Sequence, residues 1–121
     1  MSLWRVERLG RKGDGVAVGE AGRALAALTL PGEAIEGEAL DGRIAAPRIV
    51  TPSVHRIRPV CQHYRACGGC SLMHADDGFT TDWKQQVVIA ALEARGLPAV
   101  VEAVHVSPPR SRRRAVLSGR R

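Results

Sequence analysis

Aromatic rings are nearly absent from this sequence: two Trp, one Tyr and one Phe among 121 residues. Ala and Val carry much of the apolar content, so any core is thin, and thin cores of small chains usually need a staple such as a metal centre. No apolar run approaches the length of a membrane span. Met1-Ser2-Leu3-Trp4 runs straight into charged residues, without the pattern of a secretory signal. Internal repeats are lacking, as is a Gly-rich dinucleotide fingerprint after a strand; the scattered glycines belong to turns. Cysteine is scarce and odd in number, three in all, which argues against a disulfide framework and for reduced thiols in a cytoplasmic setting. No nucleophile–base pair stands out and no two carboxylates share an evident cleft, so the residues spell out no catalytic constellation.

Acidic residues are missing from one stretch in particular. Residues 110–121 hold six arginines (Arg110, Arg112, Arg113, Arg114, Arg120 and Arg121) and no acid, which accounts for the whole formal charge of +6 and leaves the first 109 residues balanced. Guanidinium forks clustered in this way suit phosphate, and RNA or another nucleic acid is the first partner to consider; Arg110, Arg112, Arg113 and Arg114 are the candidate contacts. The bland alternative is a solvated chain end.

All three cysteines fall within ten residues, Cys61-Gln-His-Tyr-Arg-Ala-Cys67-Gly68-Gly69-Cys70, spaced C-x5-C-x2-C. The Gly-Gly turn lets the backbone curl so that neighbouring thiolates can face one centre. Three thiolates fall one short of the four ligands that both candidate metals normally take. A 4Fe-4S cluster would need its fourth ligand from elsewhere. Zinc would find one nearby, because Cys61, Cys67, Cys70 and His74 make a Cys3His set. The spacing leaves both open. His55, His63 and His105 read as surface or hydrogen-bonded histidines, and Tyr64 and Trp83 as packing residues rather than base-stacking platforms.

Up to about residue 58 the chain reads as five short strands cut by turn signals: Ser2–Leu9, Val16–Val18, Arg23–Leu30, Ala34–Leu40 and Arg43–Val50. Asp14-Gly15 marks a hairpin, Leu30-Pro31-Gly32-Glu33 a type II turn with Pro and Gly at its central positions, and Asp41-Gly42 a further turn. Five short strands without an intervening helix imply a small, closed or partly closed barrel of the OB-like class, too narrow for an interior ligand. Thr51 to Pro59 is an extended connector. Past the cysteines, Asp76-Asp77-Gly78 reads as a break and Asp82 as a helix cap with Gln85 as its partner. Trp83, Val87, Ala90, Ala91 and Ala94 then share one helix face, and Gly96 and Pro98 end it. Val100 to Val106 has the valine content of a strand. The fold class is therefore mainly β with one helix, laid out as a barrel (1–58), a cysteine-rich loop (59–79), and a helix, strand and Arg-rich stretch (80–121).

These motifs together resemble a known family. Leu9-Gly10-Arg11-Lys12-Gly13-Asp14-Gly15-Val16-Ala17, Leu30-Pro31-Gly32-Glu33 and Pro52-Ser53-Val54-His55-Arg56 look like a TRAM domain. The segment from Cys61 to His74, followed by Trp83-Lys84-Gln85-Gln86, is similar to the cluster segment and following helix of the S-adenosylmethionine-dependent RNA (uracil-5-)methyltransferases. The resemblance implies that Cys61, Cys67 and Cys70 hold a 4Fe-4S cluster whose fourth cysteine comes from much later in the chain, which favours iron over zinc. It further implies RNA, ribosomal or transfer, as partner. The S-adenosylmethionine domain, the attacking cysteine and the general base have no counterparts in these residues, so the segment by itself is expected not to methylate.

Overall fold

The computed structural model describes residues 2–67, 70–98, 100–116 and 119. Six strands, β1 (Ser2–Leu9), β2 (Gly15–Gly19), β3 (Gly22–Ala26), β4 (Ala34–Gly37), β5 (Arg43–Ile44) and β6 (Arg48–Thr51), are followed by α1 (Tyr64–Cys67) and α2 (Asp77–Glu93). The strands form one sheet in the order β5-β3-β2-β1-β4-β6, curled into a half-barrel. The expected OB-like barrel is thus present in its partly closed form. Its fifth predicted strand is two: Arg43–Val50 is interrupted between Ile44 and Arg48, so β5 pairs in parallel with β3 while β6 crosses to the other edge and pairs with β4.

Turn chemistry explains most of the strand boundaries. Gly32 takes a φ of +85° and Glu33 N–H donates to Leu30 O at 3.2 Å, the arrangement that Pro31-Gly32 calls for. Asp41 and Gly42 both have positive φ, and Leu40 and Arg43 exchange backbone bonds across them, as in a type I′ hairpin. In the first hairpin the positive φ falls on Gly13 rather than Gly15, which already belongs to β2. β3 stops at Ala26, four residues before the predicted end at Leu30, because Leu28 turns the chain with a φ of +55°.

The core is small, as its composition requires. Trp4, Val6, Ala17, Ala24, Ala26, Ile35 and Ile44 form it, with Ile49 packed against them. Trp4, not Leu3, is the inward residue at the start of β1, and its indole N–H donates to Gly37 O at 3.0 Å. A register shift between Val6 and Arg8 lets Leu9 turn inward three residues after Val6, where plain alternation would face it outward.

Beyond the sheet, three expectations are corrected. A short helix, α1, lies within the cysteine segment. α2 begins at Asp77, capped by Asp76, whose Oδ1 accepts Phe79 N–H at 2.7 Å; Asp82 lies within the helix. Asp76 is extended and can cap, while Gly78 is tolerated in the first turn, so the apparent break is a helix start. Gly96 does end the helix with positive φ, through Gly96 N–H to Glu93 O and Leu97 N–H to Leu92 O, the paired bonds of a Schellman motif. The helix buries no residue: Trp83 and Val87 are half-covered, while Ala90, Ala91 and Ala94 are exposed. The strand expected over Val100 to Val106 is absent among the described residues. Valine suits a strand, but a strand exists only when paired, and none of these residues has a partner in the sheet. Among the described residues no helix is long and apolar enough to cross a membrane.

Gly19 makes room for the single large core side chain. A Cβ there would lie 2.9 Å from Trp4 Cε3 and 3.0 Å from Leu3 O. Gly19→Ala is expected to lower stability by about 1–3 kcal/mol through overpacking, read as a shifted midpoint of chemical unfolding; an unchanged midpoint would show that β2 yields without cost.

Candidate functional site

The connector and the cysteine segment are fastened to the barrel by polar groups. Glu33, the last residue of the type II turn, is fully buried. Its Oε1 accepts Leu30 N–H at 2.6 Å and Arg56 Nη2 at 2.8 Å; its Oε2 accepts Arg56 Nε at 2.6 Å and Ser53 N–H at 3.1 Å. Arg56 Nη2 also donates to Leu28 O at 2.8 Å. Burial by itself would push the Glu33 carboxyl up, but the bonds from Arg56 and from the Ser53 and Leu30 amides outweigh it and hold the group below its ordinary value.

The connector then pairs with the far end of the cysteine segment. Ile57 N–H donates to His74 O at 3.0 Å and Asp76 N–H to His55 O at 2.9 Å, so both ends of the excursion from 57 to 74 are held together. Inside it, His74 is 2% exposed and uses both ring nitrogens. Nε2 lies 3.1 Å from Thr29 O, which can only accept, so Nε2 carries the proton; Nδ1 lies 2.7 Å from Tyr64 Oη. The Tyr64 hydroxyl has one proton to share between that nitrogen and Ser71 O at 2.9 Å, and it accepts Met73 N–H at 3.2 Å. Burial pushes the His74 pKa down and the Tyr64 pKa up, so both stay neutral.

Cys61, Cys67 and Cys70 are free thiols and all three are exposed. Gly68 and Gly69, the turn expected to aim them, lie outside the described residues. Among the described residues no three His, Cys, Asp or Glu side chains gather around one point. Arg110, Arg112, Arg113 and Arg114 are exposed on a stretch without regular structure, outside every ion pair among the described residues. His63 and His105 are exposed, and His55 pairs with Asp76 at 3.0 Å.

No protein-family model matches the chain. Curated proteins do. It is 38% identical over 122 residues to a protein of Rhizobium meliloti (strain 1021) named as an uncharacterized RNA methyltransferase, with 96% of this chain and 29% of that protein covered. A Caulobacter vibrioides protein of the same description is 36% identical over 117 residues, covering 96% and 28%. The 23S rRNA (uracil(1939)-C(5))-methyltransferase RlmD of Francisella tularensis subsp. holarctica is 31% identical over 109 residues, covering 86% and 24%. The chain belongs to this RNA methyltransferase family. It spans less than a third of the length of these relatives and corresponds to their N-terminal part.

Within the cysteine segment the donor chemistry suits a thiolate-held centre: three reduced, exposed sulfurs in ten residues. His74 is a poor fourth ligand, because a metal at either ring nitrogen would displace a buried hydrogen bond. Sequence reasoning did not find Glu33 and Arg56, since a turn glutamate and an arginine 23 residues away carry no local sign of pairing.

A carboxyl held low in the folded state stabilises fully above its unfolded value, ordinarily 4.5, and loses that contribution as pH falls through its folded value. Unfolding midpoints measured across this acid range are expected to fall for the native chain and to flatten in Glu33→Gln, which should also be less stable at neutral pH. Equal acid slopes would remove Glu33 from the account. Arg56→Ala, which strands a buried charge, is expected to cost about 3–5 kcal/mol in the same measurement.

Proposed function

We propose that this chain is the RNA-binding and 4Fe-4S-binding N-terminal portion of an S-adenosylmethionine-dependent rRNA or tRNA uracil-C5 methyltransferase. The observation that carries the reading is the match over 96% of the chain to RNA methyltransferases, among whose relatives one is named for uracil-C5 of 23S rRNA. In this reading residues 1–58 form a TRAM-like RNA-recognition barrel, 59–79 the cluster loop, and the arginines from Arg110 to Arg114 contact phosphate. S-adenosylmethionine and the methyl-transfer chemistry belong to the further length that the relatives possess.

Cys61, Cys67 and Cys70 would hold the cluster as thiolates, and when bound it supplies a cross-link between them at the exposed end of the loop. The commitment of both His74 nitrogens to Tyr64 and Thr29 supports this reading over a Cys3His zinc site. Tyr64, His74 and Arg56 act from the other side of the loop, where they position the segment on the barrel.

Anaerobically purified protein is expected to be brown, with iron and acid-labile sulfide in equal amounts. Cys61→Ser should lose both, and His74→Gln should keep them. Colourless protein holding zinc that disappears in His74→Gln would overturn the cluster in favour of the Cys3His zinc site. RNA affinity should fall with salt, and replacing Arg110, Arg112, Arg113 and Arg114 by Ala should lower the log–log salt slope by about three; an unchanged slope would remove the arginine assignment.

A further inference from the structure

A cleft of about 1010 Å³ opens between the β1–β2 turn, the cysteine segment and α2. Its position follows from a close contact. Gly13, buried and with a φ of +94°, brings the turn against the cysteine segment, so that a Cβ on it would lie 3.5 Å from Ser71 Cβ and 3.8 Å from Leu72 Cδ2. The same contact sets Arg11 and Lys12 on one rim, with Lys84 of α2 contributing a third cation to the lining. All three are exposed, and Asp77 is the one acid that lines the cleft.

The wall between these cations is apolar and includes Met73 and Trp83. Trp83 differs from the other tryptophan. Trp4 is 5% exposed and bonded within the core, whereas Trp83 is half-buried and borders a second cleft of about 310 Å³ as well. An indole with open space on it, on a helix that buries none of its own residues, is not explained by core packing.

Three cations around an aromatic wall fit a nucleotide whose phosphates meet ammonium or guanidinium groups and whose base stacks. A duplex keeps its bases inside the helix and cannot present one to such a wall, whereas an unpaired strand can. We infer that this cleft binds single-stranded RNA, with a base stacked on Trp83 and the adjoining phosphates held by Arg11, Lys12 and Lys84. The inference deepens the RNA reading proposed above and rests on it. It adds a site beside the arginines at 110–114, since Pro109 lines the cleft, and places the strand next to Cys70, which lines it as well.

The test uses an unstructured oligouridylate of roughly ten nucleotides titrated into the 121-residue chain, followed by tryptophan fluorescence and by anisotropy of end-labelled RNA. Quenching is expected, and because Trp4 is shielded it should vanish in Trp83→Leu, whose affinity should fall about tenfold, the loss of one stacked base. The variant with Arg11, Lys12 and Lys84 all replaced by Ala should reduce the salt slope by about two. Replacing the four arginines at 110–114 should weaken binding yet leave the quenching in place. Lys84→Glu, at an exposed position, is expected to weaken binding at least tenfold and keeps the test decisive if Trp83→Leu fails to fold. RNA binding that is equally tight in Lys84→Glu and in the triple variant would overturn the cleft while leaving the RNA reading intact. No binding by the unsubstituted chain would overturn that reading, and the cleft with it.

Discussion

The buried carboxylate of Glu33 decides how the two halves of this chain are joined. It receives both arms of the Arg56 fork together with the amides of Leu30 and Ser53. An ion pair removed from water is not stabilising in itself, since desolvation offsets the Coulomb attraction, and an apolar pair of equal volume often does as well. What an apolar residue could not do here is accept two amide protons. Without the carboxylate, the N–H groups of Leu30 and Ser53 would lose their acceptor, at a cost of about 1–3 kcal/mol for each one left buried. The pair is therefore best understood as a device that fixes the path of the connector.

The turn from Leu28 to Glu33 serves as the dock for everything that follows it. Leu28 O accepts from Arg56, Thr29 O accepts from His74, and Glu33 holds Arg56 and Ser53. Thus three residues of one turn take the connector and the cysteine segment by polar bonds, where the scarcity of large apolar side chains leaves little to pack. The sequence suggests that a metal would staple a thin core, but the geometry separates the two. The core cluster lies on the strands, while the cysteines are exposed on a loop whose base is already tied.

What could be read from the sequence was whatever local chemistry decides. Pro31-Gly32 and Asp41-Gly42 fix their turns because φ values above zero are cheap at glycine and the ring of proline presets its own φ; short connections make neighbours of β1, β2 and β3, whereas β4, β5 and β6 pair with strands distant in sequence. Longer-range competition defeated the rest. Asp76-Asp77-Gly78 carries the letters of a loop and of a helix start, and the cap from Asp76 to Phe79 N–H, with Asp76 itself held by His55 O, decides between them. Val100 to Val106 has strand composition but pairs with no strand among the described residues. His74 has the sequence position of a fourth ligand and the burial of a structural residue. Its partner Thr29 lies 45 residues away, beyond any motif.

The division within the cysteine segment bears on how the proposed cluster loop would be kept ready in a small protein. Metal binding usually couples to folding, because a preformed site seldom survives without its ion. Here one side of the segment is ordered by Tyr64 and His74, whose bonds involve no thiol, and its two ends are joined by the backbone bonds of Ile57 and Asp76. The entropy of closing the loop is thus met by the barrel and the connector, through bonds that involve no thiol. In the proposed reading the energy of metal binding would act on Cys61, Cys67, Cys70 and the surface beside them, while the half-barrel is held independently by Trp4, Glu33 and Arg56. A centre held in that way would be lost without unfolding the domain that carries it.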